Sequence, residues 1–143
     1  ETLWNQELIA KGAYYLRQAS HGNTISKYHL EASIAYWHTI KEGTTEKWET
    51  ILQLYNHLLQ IEYSPIAALN RTYALSRANG NQEAIQEAEK LQLNDNHYYH
   101  TLLGVLYRDI DKAESISNFE KALLIARTEA DRRTIQDHLK KTQ

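Results

Sequence analysis

Apolar residues recur at the spacing of an α-helix along most of this chain. The longest stripe has intervals of three and four residues and comprises Trp48, Ile51, Leu52, Tyr55, Leu58 and Leu59. Shorter stripes with similar spacing lie within residues 30–37, 99–110 and 116–126. Such a stripe gives a helix one apolar face to bury. Because no window alternates apolar and polar residues with the period of two expected of a strand, the pattern predicts an all-α fold.

Turn-forming residues divide the chain into eight predicted helices. Ser64 precedes the single proline, which suits the first position of a helix because its missing N–H has no helical partner there. Gly80 is expected to end the preceding helix with a left-handed backbone. Asp111 and either Thr44 or Thr45 are expected to cap helix N-termini. The predicted helices span residues 3–20, 26–42, 46–62, 65–78, 82–92, 96–109, 112–127 and 129–141.

A repeat with a period of 34 residues covers the second half of the chain. Shifting the sequence by this period aligns three identical pairs, which are Leu69 with Leu103, Tyr73 with Tyr107 and Ala88 with Ala122. This is the period of the tetratricopeptide motif, in which small residues let two helices approach and large ones fill the gaps between hairpins. The second copy contains the motif in order, with a serine where alanine is usual, at Leu103, Gly104, Tyr107, Ser115, Phe119 and Ala122.

The repeat predicts a tetratricopeptide-like, right-handed array of antiparallel helical hairpins in a single domain over residues 1–143. Residues 1–62 would form three helices, and residues 63–143 would form two hairpins and a C-terminal helix. The first copy of the motif departs from the pattern at Asn70, which occupies the position of the small residue.

The composition narrows the function classes. The chain has no Cys, which excludes disulfides, thiolate metal sites and a Cys nucleophile. Its formal charge of −2 gives no basic field for binding nucleic acid, and no stretch approaches the roughly 20 apolar residues that span a membrane. The chain begins at Glu1 and contains no Met, so we expect it to be a segment of a longer protein.

Candidate catalytic or metal-binding residues are sparse. His97 and His100 are spaced to share a helix face, but a metal site would need a further ligand, and we expect both to be solvent-exposed. We expect the side chains of His29, His38 and His57 to be packed or partly buried. No motif of a nucleotide-binding loop, a serine hydrolase or a zinc protease occurs. The sequence therefore predicts no catalytic residue, no metal and no cofactor.

Four residues are candidates for contact with a partner protein. The pairs at 14–15 and 98–99 are both Tyr-Tyr, and each must place one ring off the apolar stripe, so Tyr15 and Tyr98 are candidates. Asn70 is expected to face a neighbouring helix, where a buried amide needs hydrogen-bond partners that Arg71 or a backbone group could supply. Two alternatives stay open for Asn70 and Arg71: a polar bridge between helices, or a contact with a ligand or partner.

Five segments together resemble a known domain. They are residues 3–12 (LWNQELIAKG), 28–35 (YHLEASIA), 48–59 (WETILQLYNHLL), 64–71 (SPIAALNR) and 126–133 (ARTEADRR). In this order they are similar to the tetratricopeptide-like C-terminal extension of a subgroup of extracytoplasmic-function (ECF) sigma factors of bacterial RNA polymerase. The family's acidic Asp-Gly-Gly-Pro-like turn is replaced here by residues 78–81 (ANGN).

The resemblance implies a non-catalytic regulatory domain of a cytoplasmic protein that takes part in transcription initiation. Its partners would be the sigma regions of the same protein, RNA polymerase or a regulator. Promoter DNA would be contacted only by sigma regions preceding Glu1, and no membrane would be involved. The alternative is a general tetratricopeptide-type adaptor that binds peptides and is unrelated to transcription.

Overall fold

The computed structural model describes residues 23–143, and side chains from Ser26 onward. Within these residues the fold is all-α, as the apolar stripes predict, and contains no strand. The helices are α1 (Asn23–His38), α2 (Thr45–Ile61), α3 (Pro65–Asn79), α4 (Asn81–Leu91), α5 (His97–Tyr107), α6 (Lys112–Ile125) and α7 (Glu129–Thr142). The predicted helix at 3–20 and the candidate contact Tyr15 lie outside the described residues.

The helix ends follow from local hydrogen bonds. Thr44, the first of the two candidates, caps α2 by accepting from the backbone N–H of Lys47 at 3.2 Å. Ser64 and Asp111 cap α3 and α6 in the predicted way, each accepting from the N–H three residues later. Gly80 is the single residue between α3 and α4 and has the positive φ, +101°, that glycine adopts readily.

The largest difference from a predicted helix boundary is at the end of α1, and the other described boundaries agree within three residues. Helix α1 was predicted to continue to residue 42 but ends at His38. The backbone N–H groups of Thr39 and Ile40 bond to carbonyls three residues earlier, which tightens the last turn. The Lys47 ammonium then donates to the Ile40 carbonyl at 2.5 Å, so a side chain from α2 holds the chain in a loop where the sequence suggested more helix.

Successive helices pack against each other, and the short connections reverse the chain between them. Helices α3 and α5, which are two apart along the chain, also touch. One apolar core is shared by α1 to α5, and a second, smaller core between α6 and α7 consists of Phe119, Ala122, Ala126 and Ile135.

Helices α5 and α6 approach each other closely at Gly104. A Cβ added to Gly104 would lie 2.6 to 2.7 Å from three atoms of the Phe119 ring. The Ser115 hydroxyl donates to the Gly104 carbonyl at 2.5 Å, and Ser115 and Phe119 are both completely buried. The small residues at 104 and 115 are therefore needed because α6 lies directly against the backbone of α5.

Polar bonds connect the α3–α4 hairpin to the α5–α6 hairpin. The Asn81 amide donates to the Leu106 carbonyl at 3.2 Å, and the Tyr107 hydroxyl donates to a Glu89 carboxylate oxygen at 3.0 Å. Burial and this nearby carboxylate raise the pKa of Tyr107 to about 12, so the hydroxyl keeps its proton and remains a donor.

Candidate protein-interaction groove

Helix α3 presents an outward stripe at intervals of four, three and four residues: Ile66, Asn70, Tyr73 and Arg77. All four are exposed. The stripe exists because the rest of α3 is largely covered, since the helix packs against α2 on one side and α4 on the other. An exposed stripe containing an isoleucine and a tyrosine is unusual for a helix that is otherwise well packed.

Helix α5 presents a second stripe, and a groove separates it from the stripe on α3. Tyr98 lies at the start of the α5 stripe and is 49% exposed. The groove has a volume of about 790 Å³, and no Asp, Glu, Lys or Arg lines it. Its lining residues, which define the groove below, are Ile66, Leu69, Asn70, Tyr73, Tyr98, Thr101, Leu102, Val105 and His138.

Two smaller cavities share residues with the groove. Ile66 and Asn70 also line a cavity of about 360 Å³ against α1 and α2, and Ile66 and Tyr98 line one of about 330 Å³ beside the start of α7. Ile66 therefore lies at the junction of all three, at the start of α3. The concave surface runs across several helices, as a site for an elongated ligand would require.

Asn70 is exposed and not buried as predicted, but its amide does reach a neighbouring helix. Asn70 lies on the exposed stripe of α3 and lines the groove. Its amide bonds the hydroxyl of Tyr55 on α2, and this bond opposes the upward shift that burial produces in the pKa of Tyr55. The 34-residue repeat aligns Asn70 with the buried Gly104, but α3 packs against α2 and α4 mainly through its alanine-rich faces, so residue 70 lies at the exposed edge of the contact with α2.

Arg71 points away from the groove. Its Nε donates to the Asn56 side-chain oxygen on α2 at 2.5 Å, and its Nη1 lies 3.9 Å from a Glu87 carboxylate oxygen on α4. Arg71 is thus the polar bridge between helices that was one of its two alternatives. The structure brings Asn70 and Tyr98 together at one groove and leaves Arg71 outside it.

The tyrosine pair on α5 divides as predicted. Tyr98 is on the groove side, whereas the neighbouring Tyr99 is only 5% exposed and belongs to the core. The groove is also lined by four residues that were not predicted from the sequence: Ile66, Tyr73, Leu102 and Val105. The available signal was spacing, because Ile66 and Tyr73 are seven residues apart, as are Tyr98 and Val105.

Several histidines differ from the sequence-based expectations. His100 was predicted to be exposed but is buried, with Nε2 2.8 Å from the Asn94 carbonyl and Nδ1 3.2 Å from the Asn118 side-chain oxygen. His97 is partly covered and lies 3.4 Å from an Asp131 oxygen. His57 is exposed where packing was expected, whereas His38 is largely exposed but packs its ring against Trp48, and His29 is partly buried as predicted. Among residues 23–143, no group of three or more His, Asp or Glu side chains is arranged to hold a metal ion.

His138 closes one end of the groove from α7. Its ring stacks on Phe119 with centroids 5.4 Å apart, and its Nδ1 lies 3.1 Å from Nη2 of Arg108. Because a guanidinium can only donate, Nδ1 must accept, which favours the neutral ring with its proton on Nε2. Burial lowers the pKa of His138, and the positive charges of Arg108 and Lys141 lower it further.

The lowered pKa of His138 predicts a pH-dependent stability. Between the folded pKa and the ordinary value of 6.5 the unfolded chain binds more protons, so stability is lost as pH falls through this window. We expect the His138 Cε1–H resonance to titrate with a midpoint below 6.5 in an NMR pH series. In Arg108→Gln the midpoint should move upward, and an unchanged midpoint would contradict the assigned cause.

Comparison with known proteins finds one informative relative. Over 144 aligned residues the chain is 30% identical to an uncharacterized protein of Rhizobium meliloti (strain 1021). The alignment covers 96% of this chain but only 34% of that protein, so the chain spans about a third of the length of the curated relative it matches. No family model matches the sequence. No solved structure matches it either.

In the part of the chain from Asn23 to Gln143, none of the helices combines the length and the hydropathy that crossing a bilayer requires.

Proposed function

We propose that this chain is a tetratricopeptide-like, non-catalytic regulatory domain of an ECF sigma factor, acting by binding protein segments in the groove. The partner would be the sigma regions of the same protein, RNA polymerase or a regulator, all in the cytoplasm. The observation that carries the proposal is the groove itself, an open apolar surface with two exposed tyrosines and no formal charge.

The chemistry of the groove supports binding over catalysis. Tyrosine gives large contact area at low entropic cost and keeps a hydroxyl for hydrogen bonding, which is why it is enriched where proteins meet. The Asn70 amide and Thr101 hydroxyl add polar groups without charge. A catalytic site would need converging titratable groups, and the groove contains one histidine, whose Nδ1 is already engaged by Arg108.

The hairpin arrangement supports the tetratricopeptide-like part of the proposal. Helices α3, α5 and α7 all line the groove, while α4 and α6 contribute no residue to it. In the tetratricopeptide motif a small residue on one helix lets a large residue of the next helix pack closely, and Gly104 and Phe119 make a contact of this kind. With residues 3–20 as a further helix, the domain would have eight helices.

The sigma-factor part of the proposal rests on the five sequence segments that resemble the ECF extension. One of them, residues 64–71, forms the start of α3 and contributes Ile66, Leu69 and Asn70 to the groove. The relative from Rhizobium meliloti is about three times as long as the aligned segment, which is compatible with a domain that works within a larger protein.

The proposed mechanism is a shift of population. If the groove binds a segment that is available in only one arrangement of the sigma regions, binding favours that arrangement in proportion to the difference in affinity. The domain would then change promoter activity without contacting DNA.

A deletion in the full-length protein tests the proposal. We expect removal of residues 1–143 to change transcription from the target promoter, measured in vitro with purified RNA polymerase. Transcription that is unchanged by the deletion would contradict a regulatory role. A full-length protein with no sigma regions would favour the peptide-binding adaptor instead, a function that the same groove would serve.

A further inference from the structure

The exposed stripe of α3 continues past the groove to a cation. Arg77 follows Tyr73 by four residues and so extends the same face of the helix. Its guanidinium lies over the Trp48 ring, 5.6 Å from the ring centroid, which restricts its position while leaving the side chain exposed. Among the described residues, no carboxylate lies within ion-pair distance of Arg77.

Other donors surround the same ring. The Lys47 ammonium lies 5.0 Å from the Trp48 centroid and is bound to a neutral carbonyl, and no described carboxylate pairs with it. The Trp48 indole N–H is buried and has no hydrogen-bond partner among the residues described. Tyr73 lines the groove and also contacts the Trp48 ring edge-on, with centroids 5.5 Å apart. The cluster of Lys47, Trp48 and Arg77 is therefore adjacent to the groove.

The local electrostatics are consistent with a positive field here. The His38 ring packs edge-on against Trp48 at 5.8 Å. Burial lowers the pKa of His38, and the positive charge of Lys47 lowers it further. Two cations, Lys47 and Arg77, thus lie at the Trp48 ring without an acidic partner among the described residues. The groove beside them is lined by no formally charged residue.

We propose that the partner segment bound in the groove carries an aspartate or glutamate beside its apolar residues, and that Arg77 binds this carboxylate. The inference rests on the proposed function of the groove and adds the chemistry of the partner. Charge complementarity supports this proposal. An uncharged groove favours an apolar segment, and the unpaired Arg77 guanidinium beside it favours an acidic residue in that segment. A guanidinium held in place by Trp48 is suited to bidentate bonds with a carboxylate. The chain's net charge of −2 disfavours a polyanion such as nucleic acid as the occupant.

A selection from random dodecapeptides displayed on phage tests the proposal, with this chain as the target. The parallel targets are Arg77→Gln, Ile66→Asp and a matched control, Arg133→Gln, which removes the same charge from an exposed position on α7 outside the groove cavities. Circular dichroism melts establish that each variant is folded. Peptides made from the selected consensus, and copies with the acid replaced by its amide, are then compared by fluorescence anisotropy.

We expect the wild-type selection to enrich apolar residues next to Asp or Glu. Replacing the acid by its amide should weaken binding to the wild type and to Arg133→Gln about tenfold, the usual scale for a lost charge-assisted hydrogen bond. Binding to Arg77→Gln should change less than twofold. Enrichment without acidic residues, or a tenfold difference that persists in Arg77→Gln, would overturn the assignment of Arg77 but leave the groove in place. Equal enrichment on Ile66→Asp would overturn the groove and the proposed function with it.

Discussion

Replacing Gly104 by alanine is expected to destabilise the domain by about 2 kcal/mol, although alanine is the better helix former. Alanine gains up to about 1 kcal/mol in a helix interior relative to glycine. The new methyl group, however, would lie within 2.7 Å of the Phe119 ring, and that ring is completely buried and stacks on the His138 ring. Overpacking of a filled core costs about 1 to 3 kcal/mol. A shift of α6 away from the new methyl group would also weaken the short bond that Ser115 donates to the carbonyl of residue 104, which alanine retains.

Chemical denaturation of the purified domain measures this effect, and two further variants define its cause. Gly43→Ala is the matched control, since a Cβ there would meet its nearest neighbour, an Arg77 nitrogen, at an ordinary 3.7 Å. Its stability should stay within about 0.5 kcal/mol of the wild type. Phe119→Leu should partly rescue Gly104→Ala, giving a coupling energy of about 1 kcal/mol or more in a double-mutant cycle. Additive effects would mean that the ring contact is not the cause.

Replacing Ile66 by aspartate is expected to abolish the regulatory effect of the domain while leaving its fold intact. Ile66 is 47% exposed and lies where the groove and its two neighbouring cavities meet, so a carboxylate there would lose hydration under any bound segment. Burying such a charge without a partner costs several kcal/mol, which corresponds to a loss of affinity of about a hundredfold or more. An acidic residue in the first turn of a helix is favourable, so α3 itself should not be weakened.

Transcription by the full-length protein is the measurement for this second prediction, with Leu124→Asp as its control. Leu124 is 88% exposed on α6 and lines none of the groove cavities, so the same change from an apolar residue to an acid is made away from the groove. Ile66→Asp should reproduce the effect of deleting residues 1–143, whereas Leu124→Asp should behave as the wild type. If the two variants gave the same transcription, the groove would not be the site of regulation.

The elements of this fold that the sequence predicted well are those that depend on neighbours within one or two helical turns. Apolar spacing identifies a helix because the side chains that share a face are three or four residues apart. The caps at Ser64 and Asp111 are bonds to an N–H three residues away, so they too are local. The boundary that differs most from the prediction, at the end of α1, depends on Lys47, whose bond reaches back across a loop to Ile40.

The sequence by itself therefore determined the helical class, most helix ends and the small residues at 104 and 115 that one hairpin needs. Only the tertiary structure decided which surfaces remain open. Asn70 is outward because α2 and α4 cover the other sides of α3, and His100 is inward because Asn118, eighteen residues later, comes to meet it. The apolar periodicity of a helix predicts that one of its faces is buried, but it does not predict how many neighbouring helices will pack against it. The groove is formed by the faces that no neighbouring helix covers.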